Sequence, residues 1–148
     1  MVMKFKVIEN NEKTFDLSRV YMERWQLQLE AGTLKDEPNN RLNIIFPSKI
    51  EHYQVTNETY KTELFHRMHI SFKEGKKYGE GGSFFEVLSV EEYSRYLQEE
   101  SSELFLFHCG DDIHIYILCF MDDVVEVATY EPPIFVYSYT EQWRNDDY

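Results

Sequence analysis

The segment Ile113-His-Ile-Tyr-Ile-Leu-Cys-Phe120 decides the fold. On a strand, successive side chains point to opposite faces. Ile113, Ile115, Ile117 and Cys119 then share one face, and Tyr116, Leu118 and Phe120 share the other. Both faces are apolar, so both must be covered. One layer packed on one side cannot do this. The segment predicts a central strand with a layer on each side, and its surroundings supply candidates for both.

Ser89 to Glu99 reads as the helical cover. Ser89 and Glu92 have the spacing of a capping box, and Val90, Tyr93, Tyr96 and Leu97 recur at helical spacing. Glu99 and Glu100 fall at the helix C-terminus, where the helix dipole disfavours anions. After the helix the pattern turns to strands. Leu104–His108, Ile113–Phe120, Val124–Tyr130 and Ile134–Tyr139 read as an antiparallel meander. Its turns are Gly110-Asp111, Asp122-Asp123 and Glu131-Pro132-Pro133. The N-terminal half, or a second copy of the chain in a homodimer, is expected to cover the other face.

The N-terminal half is less regular. Met3–Ile8 reads as a short strand, and Leu42, Ile44 and Phe46 alternate up to Pro47. Leu64, His66, Met68, Ile70 and Phe72 alternate too. They predict a strand entering the loop Gly75–Gly82, with Phe84–Leu88 as its return partner. Phe15 to Ala31 fits a helix passing into a strand near Trp25. The whole, 1–148, is expected to be a single α+β domain, mainly antiparallel sheet, with one firm helix near 89–99. Its length suits one domain, and its 11 Phe, 11 Tyr and 2 Trp supply an ample core. No apolar run approaches the roughly 18 residues of a membrane span. Met1 to Asn10 lacks the apolar run of a signal peptide. Cys109 and Cys119 fall near opposite ends of one strand-containing segment, too far apart to bridge. Reduced thiols fit a cytoplasmic location.

Charge is the most informative part of the composition. Residues 1–82 hold 12 acidic and 13 basic side chains, and residues 83–148 hold 15 acidic and 2 basic, Arg95 and Arg144. The second part is therefore −13 within a chain of net charge −12. Such a field repels nucleic acid and anionic membranes and attracts a basic protein. In the predicted meander Asp111, Asp112 and Glu131 gather at one end. Asp122 and Asp123 lie at the other, about 25 Å away for a strand of eight residues. Two acidic poles favour a long surface contact over a compact catalytic centre. The expected contact residues are Glu99, Glu100, Glu103, Asp111, Asp112, Asp122, Asp123 and Glu131, with Tyr137 and Trp143 as aromatic anchors.

Other chemistries leave weaker traces. His66 and His69 are three apart, but on a strand they diverge, so no metal site is expected. His108-Cys109 diverge likewise, and Asp111 and Asp112 would raise a thiol pKa. Asp112 and His114 could form a carboxylate–imidazole pair, but no nucleophile accompanies them. The Gly75–Gly82 loop lacks a phosphate-loop spacing. It would act at most as a clamp on a small ligand, with Lys76, Lys77 and Tyr78 making contacts. No cofactor is implied. The expected function is a small acidic binding protein, of the physical type of immunity proteins and DNA mimics. A ligand-binding domain is the second reading, and a hydrolase or nuclease the third.

Overall fold

In the computed structural model, residues 3–10, 14–33, 39–68, 83–101 and 112–140 are described. The strands are β1 (Phe5–Asn10), β2 (Phe15–Glu23), β3 (Gln26–Thr33), β4 (Asn39–Phe46), β5 (Ile50–Asn57), β6 (Ser83–Val87), β7 (His114–Cys119), β8 (Asp123–Thr129) and β9 (Ile134–Thr140). A 3₁₀ turn, Glu58–Lys61, leads into the short helix α1 (Thr62–Arg67), and α2 spans Val90–Ser101. Every ladder is antiparallel. One sheet has the order β1-β6-β7-β8-β5 and the other β2-β3-β4-β9. The α+β class expected from the sequence is the class observed.

Strand β7 lies in the middle of the first sheet, and both its faces are sealed. Ile113, Ile115, Ile117 and Cys119 pack with Leu64, Phe65, Met68, Tyr93, Tyr96 and Leu97 from the two helices. Tyr116, Leu118 and Phe120 pack with Phe15, Leu27, Leu29, Leu42, Ile44 and Phe46 from the second sheet. The result is three layers: helices, sheet, sheet. Each fully buried aliphatic or aromatic side chain contributes about 1.5–3 kcal/mol, so a layer lost from either face would expose several such terms. Rings knit the two sheets: Phe46 meets Tyr116 at 5.9 Å, and Phe84 stacks on Phe135 at 5.6 Å. The face that a second copy might have covered is thus covered by strands of the N-terminal half and β9.

Four expectations need correction. First, Phe15–Glu23 is a strand, not a helix. A bulge between Leu17 and Arg19 shifts its register, so Leu17 stands opposite Ala31 and Val20 opposite Leu29. The extra residue puts two side chains three apart on one face, which imitates a helical spacing. Arg24 and Trp25 close the hairpin, with φ of 49° and 73°. This is the left-handed geometry that a two-residue hairpin turn demands and that glycine or asparagine usually supplies.

Second, Leu64 and Met68 lie on a helix and its cap, not on a strand. Phe65 is buried beside them, and burying Leu64, Phe65 and Met68 together requires a helical turn. Residues 69–72 lie outside the described residues. Third, the partners of β6 are β1 and β7. Fourth, the meander ends at β8. The chain then leaves at Glu131-Pro132-Pro133, and β9 joins β4 in the second sheet. The other neighbour of β8 is β5, a strand the sequence pattern did not announce. Leu104–His108, the turn Gly110-Asp111 and the Gly75–Gly82 loop lie outside the described residues.

The helix Val90–Ser101 agrees with the expectation, but its cap does not act as a box. The Ser89 hydroxyl accepts the Lys4 backbone N–H at 2.9 Å, and Glu92 turns to Arg95 at 2.7 Å. The end of β6 is thereby pinned to the start of the chain.

Glu126 anchors the helical layer to the sheet. It lies on β8, has no solvent exposure, and faces the helices. Its carboxylate accepts from Tyr93 Oη and Gln54 Nε2, each at 2.6 Å, and pairs with Lys61 Nζ at 2.6 Å. Lys61 also donates to Tyr96 Oη at 3.1 Å. One buried carboxylate therefore joins β8, β5, the 3₁₀ turn and, through two tyrosines, α2. Its desolvation is offset by this full set of partners. Removing one partner leaves an uncompensated charge. Lys61→Met should cost about 3–5 kcal/mol in urea unfolding. The pair Lys61→Met with Glu126→Gln, which removes both charges, should cost less than Lys61→Met alone. A double variant whose loss equals the sum of the two singles would show that the charges are not coupled.

Candidate functional site

The acidic residues divide into those the fold neutralises and those it does not. Glu86 lies 3.5 Å from Lys6 and 3.0 Å from His114 Nδ1. Glu99 pairs with Arg67, which also holds Glu63 at 3.1 Å. Glu91 and Glu92 share Arg95. Glu51 lies 3.2 Å from Lys49 and accepts from Tyr130 Oη at 2.9 Å; these two hydrogen bonds, the tyrosine's first, hold its carboxyl below the usual range. The Arg67–Glu99 contact corrects the expectation that Glu99 opposes stability. The bond to Glu99 is the leading cause of the raised Arg67 pKa. A cation from α1 compensates the unfavourable helix end.

Asp122 and Asp123 behave differently. They form the turn between β7 and β8, and two other segments meet them there. The Glu58 N–H donates to the Asp122 carbonyl at 2.9 Å, and Asn57 pairs with Asp123 across β5 and β8. The Met121 N–H donates to the Phe15 carbonyl at 2.9 Å, which brings Asp16 alongside. Burial, then Asp122, then Asp16 raise the Asp123 carboxyl pKa. Among the described residues no cation lies within ion-pair distance of Asp16, Asp122 or Asp123. The expected pole at Asp122-Asp123 is therefore larger than the sequence suggested. Asp16 from β2 and Asp122 and Asp123 from the β7–β8 turn come together, beside the backbone of Glu58 from the 3₁₀ turn, and only the topology could have shown it. Tyr60, 78% exposed, stands two residues beyond Glu58, and Val55 is half exposed on β5.

At the opposite end of the β7–β8 pair, Asp112 and Glu131 are both exposed. They flank the paired residues His114 and Thr129. Tyr137 is half exposed and donates to Glu9 Oε2 at 2.8 Å, which ties β9 to β1. The side chain of Glu100, and residues Glu103, Asp111 and Trp143, lie outside the described residues, as do Lys76, Lys77 and Tyr78.

Asp112 is not the partner of His114. It precedes the strand in a turn, so strand alternation does not extend to it; the carboxylate beside His114 is Glu86, from β6. Tyr116 stacks on His114 with centroids 6.2 Å apart. The Tyr116 hydroxyl is buried with no hydrogen-bond partner among the described residues; burial, then Glu86, push its pKa far up. Its hydroxyl stays protonated and is no base. Cys119 is equally inert. Burial, then Glu126 and Glu58, push its thiol far above the ordinary range, which disfavours the reactive thiolate. Among the described residues no three His, Cys, Asp or Glu side chains could hold a metal ion. His66 is exposed on α1, and His69 lies outside the described residues. No helix among them is long and apolar enough to cross a membrane.

No family model, curated protein or solved structure matches the chain.

The raised Asp123 pKa carries a stability consequence. A carboxyl whose folded pKa exceeds its unfolded value favours the folded state in acid. That contribution is lost as pH rises through the folded pKa. At neutral pH the ionised group therefore opposes folding. Asp123→Asn should be more stable than the parent at neutral pH and equal to it below the ordinary carboxylate range. Urea midpoints at the two pH values test this. A less stable variant at neutral pH would mean that the carboxylate has a favourable partner.

Proposed function

We propose that this chain is a small acidic protein-binding module. Its Asp16, Asp122 and Asp123 end would dock a basic surface of a cytoplasmic partner protein and occlude it. The observation that carries the reading is the convergence of these carboxylates from β2 and the β7–β8 turn, with no cation beside them among the described residues. The same fold neutralises Glu86, Glu91, Glu92, Glu99 and Glu126. Burial of Asp123, and then the neighbouring Asp122 and Asp16, make its ionised carboxylate work against folding, so stability does not explain it. A basic partner would relieve the repulsion among these acids on binding. Complementary charge speeds encounter, and exposed apolar and aromatic groups nearby, such as Tyr60 and Val55, slow release. The same charge disfavours direct contact with nucleic acid or anionic membrane.

The test is capture on immobilised protein at low ionic strength, followed by a salt titration. A basic protein should be retained, and its affinity should fall steeply with salt. Asp122→Asn with Asp123→Asn should weaken retention and flatten the salt dependence. Retention that is indifferent to both salt and these substitutions would contradict the reading.

A further inference from the structure

We propose that the outer edge of β5, Tyr53–Asn57, is a strand-addition site for an extended basic segment of the partner protein. This rests on the function proposed above and names its docking mode. Strand β5 is last in its sheet, with β8 on one side and no strand on the other among the described residues. Half the backbone donors and acceptors of such an edge point away from the sheet, ready to pair with another chain.

Edges are ordinarily blunted by charge, proline or bulges. Strand β1 carries Lys6 and a bulge between Val7 and Glu9, and β2 carries Arg19 and a bulge beside it. Strand β9 is tied to β1 through the bond between Tyr137 and Glu9. The run His52-Tyr-Gln-Val-Thr-Asn57 has none of these guards. It holds no Lys, Arg, Asp, Glu, Pro or Gly. Its register with β8 is unbroken from His52 to Asn57, the bulge being confined to the Ile50 end.

The side chains fit an incoming strand as well. Tyr53 stands opposite Val127, and Val55 opposite Val125. The two valines are fully buried beneath the second sheet, whereas Tyr53 and Val55 are 42% and 43% exposed. The apolar row of the inner face thus runs on past its cover. An added strand would continue that row with side chains at alternate positions. At the Asn57 end the edge meets Asp123, with Asp122 and Asp16 beside it. The charge there selects Lys or Arg on the corresponding end of the incoming segment.

The probe is a fluorescent peptide of alternating Val and Lys. Its control has the same side chains but N-methyl groups on alternate backbone nitrogens. Binding is read by anisotropy at low salt, and its location by amide chemical shifts. The alternating peptide should bind and shift Tyr53–Asn57 and Asp123. The N-methylated peptide should not bind, and Tyr53→Ser with Val55→Ser should weaken binding about tenfold, or roughly 1.4 kcal/mol. Equal binding of both peptides, lost only in Asp122→Asn with Asp123→Asn, would overturn strand addition and leave the acidic docking function standing. Failure of either peptide to bind, together with no basic protein retained at low salt, would overturn both. Self-association abolished by the Tyr53 and Val55 substitutions would assign the edge to a second copy instead.

Discussion

Strand β7 has no face to give to water, and the rest of the molecule is arranged around that constraint. An antiparallel sheet commonly keeps one solvated face. Here Ile115 and Ile117 need the helices, while Tyr116 and Leu118 need a second sheet. The short link Pro47–Lys49 carries the chain from one sheet to the other. Its Ser48 hydroxyl lies 2.9 Å from the buried Thr129 hydroxyl, which in turn donates to the Lys49 carbonyl at 2.7 Å. The crossover is thus fixed by part-buried hydrogen bonds that satisfy the Thr129 hydroxyl, which would be costly to leave unpaired.

The same arrangement gives the lopsided charge of the sequence a structural meaning. The nearly neutral N-terminal part lends cations to the acidic C-terminal part: Lys6 to Glu86, Lys61 to Glu126 and Arg67 to Glu99. Folding redistributes the imbalance and leaves it concentrated where the turns bring acids together with no cation beside them among the described residues. The end holding Asp16, Asp122 and Asp123 is such a place, and the raised pKa of Asp123 registers its burial first and the neighbouring acids second. The Lys61–Glu126 pair is the buried case. It is bound into so many hydrogen bonds that it acts as a fastener between layers.

Much of this was legible in the residues, and the failures have physical causes. The double-faced strand, the covering helix and the antiparallel class followed from periodicity alone. The bulge at Leu17–Arg19 disguised β2 as a helix, because an inserted residue changes the spacing between residues on one face. The segment Leu64–Met68 satisfies both a helical and an alternating pattern, and only the burial of Phe65 separates them. Strand β5 was invisible because it is an edge, with Tyr53 and Val55 half exposed and no clean alternation. The departure of β9 to the other sheet is a tertiary choice that local pattern does not encode. For the candidate site, Asp122 and Asp123 were legible as a turn pair. Asp16 could not be added, since it arrives through the contact between Phe15 and Met121. The carboxylate beside His114 was out of reach for the same reason: Glu86 is adjacent only across the ladder.

Native-state hydrogen exchange tests the layered arrangement most directly. Amides of β7 and β8 should open only with global unfolding, at a free energy equal to that from urea denaturation. Amides at the outer edge of β5 should open at far lower cost. Exchange of the β7 amides through local opening, as fast as that of β5, would contradict a central strand sealed on both faces.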